Sequence, residues 1–496
     1  MNTLNGFTPA TEMLRALRER QVSAVELLDL HLRRIERYNR RLNAIVSPDY
    51  DHARQLAETA DAARGRGEDR PLLGLPLTLK DSINVHGLRT TVGMPEWAEA
   101  PVDFDAPLTT RLRAGGAVIM GKTNVPPLIW DWQAHNPIFG RTNNPWDLAR
   151  TPGGSTGGGA AALAAGLTPL EFGSDIGGSI RVPAVFCGIY GHKPSETALP
   201  RSGQFPFPPL PNPASAMSVL GPLARSAEDL ELAFAVAAGP EVGEDVAWRL
   251  AMPPARHTRL ADYRIALLPK LPWLPVDPEI LAGLNQFVVL CRRAGAKVSE
   301  AQPALLGDLR QHHQVYSALL WTNAAGLASP TTRNQLAELF RARGDEFSAA
   351  ALRGLEATAA DYVGLFRERE QYRAAYRAFF QDWDVLLTPI TLTPAFPHQE
   401  MPWPPMVSLV ERKLDVDGQL IPYDLQSVYP GLATLSGQPA TAFPIGVTRT
   451  GLPIGVQVIG PYLEDYTPIR FSALVAQEWG GFRPPLGYDE ETEGRS

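Results

Sequence analysis

The stretch Thr151–Pro183, TPGGSTGGGAAALAAGLTPLEFGSDIGGSIRVP, restricts what this chain can fold into more than any other. It holds two glycine-rich turns, Gly153-Gly154-Ser155-Thr156-Gly157-Gly158 and Asp175-Ile176-Gly177-Gly178-Ser179-Ile180-Arg181, and each carries a serine. Between them Ala160–Gly166 is mostly alanine, the best helix former. Glycine runs let the backbone take φ > 0 and leave main-chain N–H groups bare. A serine on such a turn can act as a nucleophile beside its own oxyanion hole.

Other readings of these glycines fit less well. The stretch contains no GxxxxGK[ST] and no strand–GxGxxG–helix unit with a later acidic residue, so phosphate binding lacks its usual pattern. The GxSxG elbow of ordinary α/β-hydrolases is also absent. Plain structural turns are the remaining alternative. Two serine-bearing glycine turns so close together, taken with the lysine described next, argue against it.

Lys80 closes the apolar, strand-like run in Leu72–Val85, LLGLPLTLKDSINV. The chain has only six lysines, Lys80, Lys122, Lys193, Lys270, Lys297 and Lys413, so a lysine in this position is not surface decoration. Desolvation disfavours the charged ammonium and lowers its pKa, and a neutral buried lysine can act as a base. The alternative is a lysine that leaves the strand end to reach water or a carboxylate such as Asp81.

Together the three segments resemble the amidase signature family. Lys80, Ser155 and Ser179 are separated by 75 and 24 residues, which match that family's Lys–Ser–Ser triad, and the resemblance runs from Ser23-Ala-Val-Glu26 to Gly451–Gln457. One departure is Thr156, where the family more often has serine or glycine. The resemblance implies an α/β fold: one large domain over residues 1–496, with a central mixed twisted sheet covered by helices on both faces. It places the signature core at about 70–230 and a variable helical cap at about 300–380.

By the same resemblance Ser179 is the nucleophile. The N–H groups of Ile176, Gly177, Gly178 and Ser179 form the oxyanion hole. Ser155, after a cis Gly154–Ser155 peptide, relays a proton to Lys80. Asp175 and Arg181 support the turn. The loop holding Asn124 lies near the site without being catalytic. His135 invites a Ser-His reading, but Lys80 fills the base role, and a lone histidine is more often a hydrogen-bonded structural residue.

Composition excludes several classes. The net charge of −7 comes with no basic stripe, so no nucleic-acid partner is expected. Cys187 and Cys291 are the only cysteines, so there is neither a disulfide framework nor zinc spacing, and a reducing cytoplasm is expected. No metal or cofactor is implied. His312 and His313 are adjacent and diverge on a helix. The N-terminus lacks a basic-then-apolar signal, and no apolar run is long enough to span a bilayer.

Local patterns give the elements. Thr8-Pro9 reads as a cap and first turn, and Ser23-x-x-Glu26 as a capping box opening a second helix. Strands are expected at Leu42–Val46, Leu75–Lys80, Ala117–Gly121, Arg264–Leu268 and around Trp383, and the segment from Leu435 onward with Thr450–Gly460 reads as the closing strands.

The substrate reading rests on apolar loops. Trp130 and Trp132, Phe205, Phe207 and Leu210 in the proline-rich Leu199–Pro213, and Met401 and Trp403 in His398–Met406 are expected to line a pocket for a bulky apolar or aryl group, the alternatives being core packing for the two tryptophans and linker packing for Leu199–Pro213. Amides, anilides, esters or aryl carbamates could each acylate Ser179, so a urethanase-like activity stays open. The alternative is the glutaminase subunit of a tRNA-dependent amidotransferase. As a stand-alone enzyme the chain is expected to be a monomer or a homodimer, with a small-molecule substrate and no membrane.

Overall fold

The computed structural model describes residues 4–99, 101–208 and 216–489. Eleven strands form one sheet. In chain order they are β1 (Ile45–Pro48), β2 (Pro76–Lys80), β3 (Val118–Thr123), β4 (Leu170–Asp175), β5 (Tyr190–Lys193), β6 (Val219–Ala224), β7 (Arg264–Leu267), β8 (Lys297–Glu300), β9 (Val385–Thr388), β10 (Ala440–Val447) and β11 (Pro453–Ile459). Across the sheet they run β1-β3-β2-β4-β6-β5-β10-β11-β9-β7-β8. The sheet is mixed: β3, β2 and β4 are mutually parallel, as are β9, β7 and β8, while the strands between them pair antiparallel. Most of these strands are buried along their whole length, as expected where both faces are covered by helices.

The N-terminal layer follows from its capping chemistry. Ser23 and Glu26 close a capping box on the helix Ala24–Leu42, whose Leu27, Leu28 and Ile35 enter the core. The preceding helix starts one residue later than its sequence suggests. Pro9 is its N-cap, and Thr8 instead bonds within a turn to Asn5. The free N–H groups of Ala10 and Thr11 donate to the Asp229 carboxylate at 2.8 and 2.9 Å. A carboxylate distant in sequence thus does the work of a local cap.

Small residues decide how closely the helix Gly157–Ala164 sits on the sheet. It is buried on every side. A Cβ on Gly158 would lie 2.3 Å from the Asn124 backbone nitrogen, so only glycine permits that approach. Four helices, Arg310–Leu327, Pro330–Arg343, Glu346–Leu355 and Ala359–Asp382, fill the region expected to be helical. They share a hydrophobic cluster with residues of β7, β9, β10 and β11, built on Tyr316, Leu319, Trp321, Phe340 and Tyr376. The strand expected from Leu435 begins at Ala440 instead, because Leu435 and Ser436 complete the helix Val428–Ser436, which Gly437 ends in a left-handed conformation. Among the described residues no helix is long and apolar enough to cross a membrane.

Candidate active site

Strands β3, β2 and β4 are parallel neighbours, so their carboxyl ends open on the same edge of the sheet, where open α/β sheets place ligands. Lys80 is the last residue of β2 and is 0 % exposed. Its Nζ lies 2.6 Å from Ser155 Oγ and 2.9 Å from Ser174 Oγ. Burial lowers its pKa to about 7, against the upward pull of Asp175 and Glu171. Asp81 is not its partner. That carboxylate pairs with Lys122 Nζ at 3.1 Å and bonds Thr91. Lys122 and the equally buried Lys193 are satisfied by an ion pair and by the carbonyls of Pro194 and Gln438. Of the three buried lysines, Lys80 is the one held against a serine hydroxyl.

Ser155 follows a cis Gly154–Ser155 peptide. A Cβ on Gly154 would come within 2.5–2.6 Å of the Asp131 and Gln133 backbone, so the glycine is required by close approach. The neighbouring turn is tied to it by Thr156 N–H, which donates to Ser179 O at 3.1 Å. Ser179 is 8 % exposed, and its hydroxyl makes no hydrogen bond to another described residue. Lys80 and Ser155 are therefore joined by a hydrogen bond, while the Ser179 turn is tied to the Ser155 turn through the Thr156 N–H. The Thr156 hydroxyl is buried without a partner among the described residues, and its methyl fills the space left open by Gly173.

Asp175, at the end of β4, organises the second turn. It accepts from Gly178 N at 3.0 Å and Ile180 N at 3.1 Å, and its two oxygens take the Arg181 guanidinium at 2.8 and 3.0 Å. Burial would raise this carboxyl, but the guanidinium holds it at about 2. Arg181 also reaches Pro430 O, Thr434 Oγ1 and Gln457 Oε1. Gly178 has φ +95°, and a Cβ there would press on Pro430 and Val182 at 2.9 Å. The turn's N–H groups are not equivalent. Gly178 N–H is taken by Asp175, which corrects its expected place in the oxyanion hole. The N–H groups of Ile176, Gly177 and Ser179 have no acceptor among the described residues.

A pocket opens over Ser179, Ile176 and Gly177. Trp130 and Trp132 line it, as the sequence suggested. Trp132 Nε1 donates to Gly177 O at 2.8 Å, and Trp130 meets Trp321 edge to face at 5.7 Å. The rest of the wall comes from residues the sequence did not single out. His313, Ser317, Leu320 and Trp321 project from the helix Arg310–Leu327, and Leu409, Asp424 and Ser427 come from the segment after His398–Met406. His313 is kept neutral by burial, with a pKa of about 3. Its neighbour His312 diverges, as expected, and packs on Tyr372. The only sequence signal for this helix was its length and apolar content, which give no direction.

Four expected pocket residues lie elsewhere. Phe205 and Phe207 pack edge-on against Trp97, and Phe207 is 51 % exposed. Leu210 lies outside the described residues. Met401 and Trp403 sit on a loop that docks through Gln399 onto Gln133, and Trp403 is 57 % exposed. Among the described residues neither loop contributes to the pocket wall. An apolar residue on a proline-rich loop does not declare which side of the loop faces the site. His135 is part of a two-residue hairpin strand, also outside the pocket. Asn124 bonds Gly140 O, Thr142 and Asn136 and is structural. Both cysteines are free and buried. Among the described residues no group of His, Cys, Asp or Glu could hold a metal ion.

Comparison with known proteins shows the family and the fold. The family model described as Amidase matches residues 26–468. "Putative amidase AmiB2" of Mycobacterium tuberculosis is 34% identical over 505 residues, covering 97% of this chain and 98% of the relative. A glutamyl-tRNA(Gln) amidotransferase subunit of a Synechococcus strain is 32% identical, covering 90% of this chain and 92% of the relative. Among solved structures, a 6-aminohexanoate cyclic dimer hydrolase complexed with substrate superposes with a TM-score of 0.78 at 25% identity, covering 98% of this chain and all of that one. A bacterial aryl acylamidase, at 22% identity and a TM-score of 0.79, shares the fold over 96% of both chains.

The Asp175–Arg181 pair is wholly buried. Arg181→Met should leave the carboxylate unpaired and destabilise the protein by about 3–5 kcal/mol. A lowered denaturation midpoint, or loss of soluble protein, checks this.

Proposed function

Since this chain belongs to the amidase family and is a hydrolase of C–N bonds, we propose that it cleaves amides and anilides carrying a bulky apolar or aryl group, through an acyl-enzyme on Ser179. The observation that carries this is the 2.6 Å contact between the buried Lys80 Nζ and Ser155 Oγ, next to a free serine hydroxyl at the floor of an apolar pocket. Ser179 Oγ attacks the substrate carbonyl carbon while its proton passes to Ser155 Oγ, whose own proton passes to neutral Lys80 Nζ. The oxyanion is held by the N–H groups of Ile176, Gly177 and Ser179. As the C–N bond breaks, Lys80 returns the proton through Ser155 to the leaving nitrogen. Water then hydrolyses the ester by the same route.

Trp130, Trp132 and Trp321 support an aryl or bulky apolar substrate, because aromatic walls gain most from flat apolar groups. Carbamates and esters meet the same requirement at the carbonyl, so a urethanase-like activity belongs to this proposal. The reading as the glutaminase subunit of an amidotransferase is favoured by the 32% identity to the Synechococcus amidotransferase chain and by the Asp424 carboxylate in the pocket. The tryptophan lining favours the stand-alone enzyme, which we place in the cytoplasm as a monomer or homodimer.

The deciding experiment is initial rates of the purified chain on a short-acyl p-nitroanilide, an aryl-acyl p-nitroanilide, an aryl carbamate and glutamine. Rapid cleavage of the aryl substrates but not glutamine, abolished in Ser179→Ala, is expected. Silence on the aryl substrates with glutaminase activity only beside a partner protein would sink the proposal.

The base must be neutral to accept a proton, and the Lys80 pKa is about 7. With chemistry limiting, kcat/KM should therefore rise about tenfold per pH unit below 7 and level off above about 8. A profile flat from weakly acidic to alkaline pH would remove Lys80 from the base role. Trp321→Ala should raise KM for the aryl anilide by roughly tenfold, as loss of one large pocket contact costs about 1–3 kcal/mol. Trp403→Ala and Phe207→Ala should leave it within about twofold.

A further inference from the structure

We propose that Tyr316, on the helix Arg310–Leu327, is a positioning residue for the oxyanion hole: its hydroxyl holds the Ile176 carbonyl and so aims the Gly177 N–H of the same peptide unit at the reacting carbonyl oxygen. The proposal rests on the Ser179 acyl-enzyme reading above.

A trans peptide is planar, with its C=O and N–H pointing in opposite directions. Whatever grips the carbonyl therefore sets the direction of the N–H. Two consecutive peptide units of the turn are gripped from the carbonyl side. Trp132 Nε1 donates to Gly177 O at 2.8 Å, and Gly178 N–H, at the far end of that unit, is received by Asp175 Oδ1 at 3.0 Å. This unit is fixed at both ends and has no donor to spare. In the preceding unit Tyr316 Oη donates to Ile176 O at 3.0 Å, and Gly177 N–H, at its far end, has no acceptor among the described residues. Gly177 lines the pocket beside Ser179, so the unspent donor lies on the backbone next to the nucleophile.

Without a partner on Ile176 O this unit would be free to rotate, because glycine at 177 offers little steric resistance. A Cβ there would meet nothing closer than Tyr316 Oη at 3.5 Å. The tyrosine itself is rigidly mounted. Its side chain is fully buried, and a Cβ on Gly431 would lie 3.1 Å from its ring. Burial also pushes the phenol up, so it stays a donor at any working pH. A preorganised donor is worth most where it need not reorient as charge develops.

The test compares wild type with Tyr316→Phe on the aryl p-nitroanilide, and measures inhibition by an aryl trifluoromethyl ketone, which adds the serine to form an oxyanion, and by the matching alcohol, which cannot. Tyr316→Phe should lower kcat about tenfold, less than the hundredfold or more typical of deleting a hole donor outright. It should weaken the ketone by the same factor and leave KM, alcohol affinity and the pH midpoint unchanged. Tyr316→4-aminophenylalanine, which restores a para donor, should recover kcat and ketone affinity. A Tyr316→Phe enzyme with kcat and ketone affinity within twofold of wild type overturns the inference. So does an equal loss for ketone and alcohol, or a failure of the 4-amino variant to differ from Phe. Wild-type turnover that vanishes in Ser179→Ala is the control. Its absence overturns the proposed aryl-amide reading and this inference with it, whereas an unaffected Tyr316→Phe in an active enzyme overturns the inference alone.

Discussion

The buried ion pair between Asp175 and Arg181 is the constraint on which the rest of the site depends. Its two side chains are fully enclosed, and an enclosed charge must be paired and hydrogen-bonded to persist. Asp175 meets that demand with the backbone N–H groups of its own turn, and Arg181 with groups on the helix Val428–Ser436 and on β11. The pair therefore curls the turn around a carboxylate and pins it to the far half of the sheet. Ser179 inherits its position from this arrangement, because it sits between two residues whose N–H groups are already committed.

What the sequence made legible was the chemistry whose residues are locally marked. Two serines on glycine turns and one lysine at an apolar strand end can be recognised because glycine and lysine are conspicuous there. The structure places Lys80 and Ser155 in contact. The mixed sheet with helices on both faces came from the family resemblance, and only individual elements such as the Ser23–Glu26 capping box were legible from local pattern. Thr8 shows the limit of that reasoning: it has the composition of a cap, yet the helix takes its partner from Asp229, more than two hundred residues away. No local rule anticipates a long-range acceptor.

The pocket was only half legible for a related reason. Trp130 and Trp132 lie between Lys80 and Ser155 in sequence, and Trp132 is held to the second turn by its indole N–H on Gly177 O. Phe205, Phe207 and Trp403 have the right character but spend it on Trp97 or on solvent, and Met401 lies outside the pocket wall. The helix that does form the opposite wall carries His313, Ser317, Leu320 and Trp321 on one side, a spacing that a purely structural helix would show equally well. Which face of that helix meets the site depends on how four cap helices pack together, and packing is a property of the assembled fold. The same holds for Gly178, whose N–H looks available in the sequence and is consumed by a side chain three residues earlier.

Tyr316, Leu320 and Trp321 share the helix Arg310–Leu327, one touching the reactive turn and the others the substrate pocket. On the function proposed above, recognition and turnover are thus mounted on one rigid body. Remodelling the cap to admit a new acyl group tilts or shifts that body, and the turn beneath it feels the movement through a single hydroxyl. Divergence in specificity on this scaffold is consequently not independent of speed: a cap rebuilt for fit must also be re-tuned for rate, and variants selected for binding alone will tend to be slow.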